Sequence, residues 1–407
     1  MQQGLKQNWQ QFLLLVIINA FVGGMVGLER SILPSMATEI FSLEANFAIL
    51  SFIIVFGVSK AISNYLMGKL ANKQGPKKLL ILGWLFGLPV PFILMYAPDW
   101  NWIIFANALL GINQGFAWSS TVIMKIDLVG EKNRGLAMGI NEFAGYLAVG
   151  VMAFITAWIA DSWGLRPYPF YIGIVIAVLG LLFSVFLLKD TQHHLASESS
   201  SSQVPELKRL FLETSILHKN LGSVTQAGLV NNLNDGMVWG LLPLFLASKN
   251  YNLEQIGIIV AIYPAVWGIG QLFTGKMADH YCKRNLMFIG MLLQAVALVA
   301  FIYATNFWME VVSSGLLGWG TAMVYPTFLA SIAENIHPSQ RAESIGIFRL
   351  WRDLGYAIGA LLTGIIADSF GLNGAIWTIA FLTFLSSLVI RIRMNCATQT
   401  FKVFDVN

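Results

Sequence analysis

The chain is short of charge, cysteine and histidine, and each shortage closes off a class of protein. Asp, Glu, Lys and Arg make up only 11% of its 407 residues, too few to cover a water-soluble surface of this size. The 2 cysteines, Cys282 and Cys396, cannot staple a secreted scaffold. Both are expected on the cytoplasmic side, so no disulfide is expected. The 5 histidines show no metal-ligand spacing: His193 and His194 fall in a polar stretch, and His218, His280 and His337 near loops. No Gly-x-x-x-x-Gly-Lys-Ser loop is present to cradle phosphates, which leaves direct ATP hydrolysis without its machinery. No metal, no cofactor and no enzymatic activity are expected.

What the chain has instead is apolar length: 56% of it is hydrophobic, the composition of a membrane protein. Crossing a bilayer takes about 20 apolar residues. Twelve segments reach that length, at 12–34, 46–68, 79–97, 102–124, 137–159, 169–188, 222–247, 256–275, 286–305, 308–332, 345–367 and 373–390. With both ends inside, the inner segments hold 19 of the 25 Lys and Arg, Lys125 among them, and the outer loops only Arg166 and Lys249. That bias places the amino and carboxyl ends in the cytoplasm and makes the net charge of +4 a topological signal, not a nucleic-acid footprint. The first apolar run is long enough to span and has no small-residue cleavage site, so no cleaved signal is expected.

The basic turn Gly68-Lys69-Leu70-Ala71-Asn72-Lys73-Gln74-Gly75-Pro76-Lys77-Lys78 has a counterpart, Gly275-Lys276-Met277-Ala278-Asp279-His280-Tyr281-Cys282-Lys283-Arg284, offset by 207 residues (275 minus 68). Gly111 with Gly318, Arg134 with Arg341, and Ala160-Asp161-Ser162-Trp163-Gly164-Leu165 with Ala367-Asp368-Ser369-Phe370-Gly371-Leu372 keep the same offset. An uninterrupted register over six helices is an internal repeat. The two turns resemble the Gly-x-Leu-Ala-Asp-Arg-x-Gly-Arg-Arg signature of the major facilitator superfamily. The resemblance implies an all-α membrane protein of twelve helices in two six-helix pseudo-repeats, and a latch formed by the Asp of each turn. Here Asn72 replaces that Asp in the first turn and Asp279 keeps it in the second. Gly68, Asn72, Gly75, Lys77, Gly275, Asp279 and Arg284 are the expected latch residues. The family's proton-coupled drug exporters usually carry an Arg near Asn107 and a Gly-Pro element in the fifth helix. This chain has neither, reading Asn141-Glu142-Phe143-Ala144-Gly145-Tyr146 there.

Ionisable groups inside the apolar segments point to function, because a lipid-facing charge costs about 2.5 to 3.5 kcal/mol on insertion scales. Glu29 and Arg30 form an adjacent pair in the outer half of the first helix, locally paired or part of a gate. Lys60 and Asn64 share one face of the second helix, about 12 Å inside the basic turn; Lys60 either bridges two helices or meets an anion in a cavity. Glu142 and Arg349 lie eight residues beyond Arg134 and Arg341 and so occupy equivalent places, as an ion pair or as a proton or substrate site. The seventh helix carries Asn231, Asn232, Asn234, Asp235 and Trp239, with Asp235 near mid-membrane, either held by its Asn neighbours or titrating. The eighth offers Tyr263, Trp267 and Gln271. The eleventh carries Arg349, Arg352, Asp353 and Tyr356 at i, i+3, i+4 and i+7, one polar stripe along an apolar helix.

Lys60, Asn64, Glu142, Tyr146, Asn231, Asn234, Trp239, Tyr263, Trp267, Gln271, Arg349, Arg352 and Tyr356 form the candidate cavity, and Asp235, Glu142, Asp353 and Glu29 are the candidate proton carriers. Four cations (Arg30, Lys60, Arg349, Arg352) meet four acids (Glu29, Glu142, Asp235, Asp353). The expected organisation is a bundle over 1–189, a polar cytoplasmic linker over 190–220 with an amphipathic piece near 207–217, and a second bundle with a short tail over 221–407. The expected activity is secondary transport of a small organic anion or zwitterion, with protons, by a monomer. A multidrug and proton antiporter and a non-transporting sensor or assembly partner are the alternatives. The expected partners are that solute, protons and the lipid bilayer, with no nucleic acid.

Overall fold

The computed structural model describes residues 4–129, 134–191 and 205–396, with the side chains at 72, 73, 126, 127, 134–138, 279, 280, 333, 338, 339, 341 and 342 outside that description. Twelve crossings follow one another. They are α1 (Trp9–Arg30, continued by Leu33–Glu39), α2 (Ser51–Gln74), α3 (Pro76–Gly87 and Val90–Tyr96), α4 (Trp100–Val129), α5 (Arg134–Trp163), α6 (Tyr168–Leu182), α7 (Lys219–Ser248), α8 (Leu253–His280), α9 (Lys283–Tyr303) and α10 (Phe307–Asn335). The last two, α11 and α12, are the arms of Pro338–Arg393, which bends at Gly371 where φ is 77°. Gly164, its counterpart 207 residues earlier, also has a positive φ, 92°, a conformation that favours glycine. Among the described residues, eight helical stretches are apolar enough by length and composition to cross a membrane, one of them spanning both α11 and α12. Helices α4, α7 and α10 fall below that measure because polar groups such as Asn113, Gln114, Asn232, Asn234, Ser314 and Thr321 are wholly buried against neighbouring helices.

The repeat is visible in the packing. Helix α1 packs on α5 and α2 on α4, as α7 packs on α11 and α8 on α10. A Cβ placed at Gly111 would meet Phe56 O at 2.6 Å, and one at Gly318 would meet Tyr263 O at 2.5 Å. Positions 56 and 263 are themselves 207 apart, so both helix crossings are the same crossing. The halves meet through α2 against α11 and α5 against α8.

The face that carries the two basic turns is the basic face; the other is the opposite face. Contact between halves is tight towards the opposite face. There the carboxylate of Asp368 accepts the backbone N–H of Asn46 (2.8 Å), that of Phe47 (3.1 Å) and the Asn46 amide (2.9 Å). At the basic face a Cβ on Gly346 would find the Gly68 Cα only at 3.8 Å. The described part of the 190–220 segment holds a short helical run, Leu210–Leu212 continued by Glu213–Leu217, which exposes Phe211, Leu212, Ile216 and Leu217 and buries Thr214 and Ser215. It is docked on the second half: Leu207 and Gln340 exchange two hydrogen bonds (2.8 and 2.9 Å), and the Trp351 indole N–H donates to Ser215 (2.9 Å). Residues 192–204 lie outside the described part.

Cys282 and Cys396 correct an expectation, for they are joined in a disulfide, with Cα atoms 5.6 Å apart. Compartment alone argued against the bond. The chain leaving α12 instead folds back beneath the α8–α9 turn, helped by Arg391 donating to Asn285 at 2.8 Å, and brings the two sulfurs together.

Candidate functional site

The stripe on α11 makes a second, buried polar contact between the two halves. Arg349, Arg352, Asp353 and Tyr356 are all buried. Asp353 Oδ1 lies 3.7 Å from Lys60 Nζ and 3.3 Å from an Arg352 guanidinium nitrogen, and accepts from Asn232 at 3.4 Å. Its Oδ2 accepts from the Asn64 amide at 2.5 Å. Arg352 also donates to the Tyr146 hydroxyl at 3.2 Å and lies 4.4 Å from the centre of the Tyr325 ring. Arg349 donates to the Ser119 hydroxyl, which donates on to Asn64 Oδ1 at 2.6 Å. Lys60 sits 4.9 Å from the Tyr356 ring centre. Hydrogen bonds to ionised groups are the strong ones, and cations over ring faces gain further. One helix of the second half is thereby tied to α2, α4 and α5 of the first.

These groups enclose a cavity of about 10 Å³, the room of a single water. The first half contributes Lys60, Asn64, Trp118, Ser119 and Tyr146, and the second contributes Tyr325, Arg349 and Arg352. Because its walls belong to different halves, the cavity widens whenever the halves part. Three cations stand in the lining and Asp353 behind them.

Next to this layer, the Tyr146 ring stacks on Trp267 with centres 3.5 Å apart. Trp267 leads to Tyr263 (5.7 Å) and Tyr263 to Trp239 (5.7 Å). The Tyr263 hydroxyl donates to Asp235 Oδ1, so Asp235 is held by a phenol, not by its Asn neighbours. Tyr356 meets Phe56 edge-on at 5.6 Å.

Glu142 stands one layer back. Its Oε1 accepts the Trp118 indole N–H at 3.0 Å and the Asn141 amide at 2.9 Å. Among the described residues no ion pair joins it to Arg349. Lys125, counted among the loop lysines on sequence grounds, is instead buried and donates to Asn141 Oδ1 at 2.5 Å. Helix α4 runs on to Val129 and carries Lys125 inward one turn beyond Thr121, which bonds Asn19 at 2.8 Å. The buried charges of this region are thus five cations and four acids.

Glu29 and Arg30 are fully buried and paired at 3.7 Å. Glu29 accepts from Asn107 at 3.1 Å, and Arg30 lies 4.3 Å from the Phe56 ring centre. They sit apart from the cavity lining, on the α1, α2 and α4 contact. Asn234 is also removed from it: it donates to Gln294 (2.7 Å) and accepts from Thr383 (2.7 Å), joining α7 to α9 and α12. Asn231 reaches only Asn232, at 3.4 Å. Gln271 is buried beside the α5 backbone, with neither amide atom in a hydrogen bond.

At the basic face, Gly75 turns the chain with φ 86°. Lys77 donates to Leu188 O at 2.6 Å and so caps the end of the sixth crossing, and Arg284 reaches Asn285 at 3.4 Å. Among the described residues, nothing lies within 4 Å of a Cβ on Gly275. The Asn72 and Asp279 side chains lie outside the described residues, so the latch proper does too.

Trp118, Ser119 and Tyr325 line the cavity but were not among the sequence candidates. A signal existed: Trp118 and Tyr325 are 207 apart (325 minus 118), aromatic residues at equivalent places in a repeat whose other such pairs include Lys60 with Trp267 and Glu142 with Arg349.

Twelve apolar crossings in two repeats, closed around a charged chamber with walls from both halves, define a membrane carrier. The chain belongs to the major facilitator superfamily, whose model matches residues 12–222 and 224–395. It is 26% identical over 392 residues to the proton-coupled antiporter flippase LtaA of Staphylococcus haemolyticus, covering 92% of this chain and 91% of that one. It is 23% identical over 399 residues to the multidrug resistance protein MdtG of Proteus mirabilis, covering 94% and 95%. A solved structure of the nucleoside transporter NupG superposes with a TM-score of 0.73 over 95% of this chain and 100% of that one, at 14% identity, a likeness of fold.

Proposed function

We propose that this transporter is a proton-coupled secondary carrier of a small organic anion or zwitterion. It works as a monomer by rocking the bundles 1–189 and 221–407 about the central chamber, with both ends in the cytoplasm. The observation that carries the reading is the chamber's charge: Lys60, Arg349 and Arg352 stand in its wall, and Asp353 is the carboxylate in contact with two of them. From behind the wall, Asp353 supplies the negative charge with which a substrate anion would compete for Lys60 and Arg352. A proton on Asp353 frees Lys60 and Arg352 to bind that anion, which couples the two species without a direct contact between them. Asp235, held by Tyr263, is the second proton site considered. The Lys and Arg bias of the loops supports the orientation.

The test is a thermal-shift screen of metabolites and drugs on the purified protein, followed by uptake of the hits into proteoliposomes. Anions should stabilise it, more so as pH falls. Asp353→Asn should bind them with no pH dependence, lose uptake driven by a pH gradient and keep counterflow exchange. Gradient-driven uptake intact in both Asp353→Asn and Asp235→Asn removes both as proton carriers.

The aromatic wall of Trp118, Tyr146 and Tyr325 favours one second reading, export of lipophilic cations; one relative is named a multidrug resistance protein. Drug hypersensitivity of a deletion strain, with stabilisation by cations and not by anions, would replace the first reading by this one.

A further inference from the structure

Trp118 and Tyr325 stand at equivalent places in the two repeats and line the same chamber from opposite halves. Tyr325 is already covered by the Arg352 guanidinium at 4.4 Å and meets Trp267 edge-on at 6.1 Å. Trp118 is held differently. Its indole N–H is fixed by Glu142 at 3.0 Å, and Glu142 is fixed by Asn141, which Lys125 anchors. The other edge of the indole lies over Gly145, where a Cβ would come within 2.5 Å of the ring. A large ring pinned at both edges is set to present a face. Arg349 and Arg352 line the same chamber, and their Nε groups are buried without a hydrogen-bond partner, so each guanidinium keeps a donor for a ligand.

Resting on the anion reading above, we infer that the substrate carries a flat aromatic ring bound between Trp118 and Tyr325, with its anionic group on Arg349 and Arg352. Glu142, with Lys125 and Asn141, is the positioning network that aims Trp118. It acts through a hydrogen bond and not by carrying a proton. The Oε2 of Glu142 has no hydrogen-bond partner, so a glutamine at 142 keeps the contact that matters.

Benzoate and hexanoate, one carboxylate each on a ring and on a chain, are titrated into the purified full-length protein. Wild type should bind benzoate roughly 2- to 10-fold more tightly, the range of an aromatic contact. Trp118→Ala should abolish that preference by weakening benzoate more than hexanoate. Trp118→Phe, a ring without the indole N–H, should keep part of the preference, which separates lost stacking from lost folding. Glu142→Leu should reduce the preference to that same level, Glu142→Gln should keep wild-type selectivity and gradient-driven uptake, and Glu142→Leu should add nothing in a Trp118→Phe background. Gly145→Ala should weaken benzoate by pushing the indole forward. Equal binding of the two acids, unaltered by Trp118→Ala, overturns the ring slot and leaves the anion reading standing. Loss of gradient drive in Glu142→Gln overturns the positioning role. Failure of both acids to bind overturns the anion reading, and this inference with it.

Discussion

Glu142 and Arg349 occupy one position of the repeat, 207 residues apart, and bond to adjacent residues of a single helix: Glu142 takes the Trp118 indole N–H at 3.0 Å and Arg349 donates to Ser119. They are not partners of each other. The acid ends up behind the chamber wall and the base within it, so pseudo-symmetry of position has become asymmetry of charge. That leaves the chamber cationic.

Asp368 fastens the opposite face by accepting three hydrogen bonds from Asn46 and Phe47. Asp368→Asn should weaken this contact by about 1 kcal/mol, a roughly fivefold shift towards opening on that face. Spin labels at Glu39 and Glu254 should report a longer distance population. An unchanged distribution would mean that other contacts hold the face closed.

Gly57 lets α2 and α11 touch: a Cβ there would stand 2.7 Å from Ala357 N and from Tyr356 Cβ. Gly57→Ala forces the halves apart at an overpacking cost of about 1–3 kcal/mol. Transport should slow about tenfold while the protein still inserts and purifies as a monodisperse species, as measured by proteoliposome uptake and size exclusion.

Asn234 belongs to the frame of the second half. Asn234→Leu strands Gln294 and Thr383 and should destabilise by about 1–3 kcal/mol, seen as a lower thermal midpoint with anion binding retained. Asn64→Leu removes a chamber wall and should weaken binding instead. Equal binding losses would place Asn234 in the site after all.

His218 caps α7 by accepting the Leu221 N–H on Nδ1 at 3.3 Å. Burial lowers its pKa below the usual histidine value; the nearby Glu213 opposes that in part, and Arg393 adds a smaller push downward. The unfolded chain therefore takes up the proton first as pH falls, and stability is lost below about pH 6.5, the unfolded value. The thermal midpoint should rise with pH through that window, and His218→Asn, which caps without titrating, should flatten the rise.

Much of the fold was legible because it is set by local and periodic signals. Apolar run length marks the crossings, the fixed offset marks the repeat, and the spacing of Arg349, Arg352, Asp353 and Tyr356 puts them on one face wherever that helix goes. The site was less legible. Asn231, Asn232, Asn234 and Asp235 follow one another around α7 by steps of about 100°, 200° and 100° and so point to several sides, and no spacing rule could say that Asn234 turns to α9 and α12 while Asp235 meets Tyr263. Lys125 read as a loop lysine because an apolar run ends where charge begins, yet a helix goes on as long as its neighbours cover it. The cysteine pair shows the same limit, since compartment is a property of sequence and topology, whereas proximity is not.

By itself, the sequence determined that this protein spans a membrane twelve times in two copies of one unit, because hydrophobic length and backbone hydrogen bonding leave a chain in lipid few other choices. Only the tertiary structure decided which buried charges share a chamber, which stand behind its wall and which merely hold helices together. Those outcomes depend on the rotation and depth of each helix against its neighbours, and packing between segments far apart in the chain sets both.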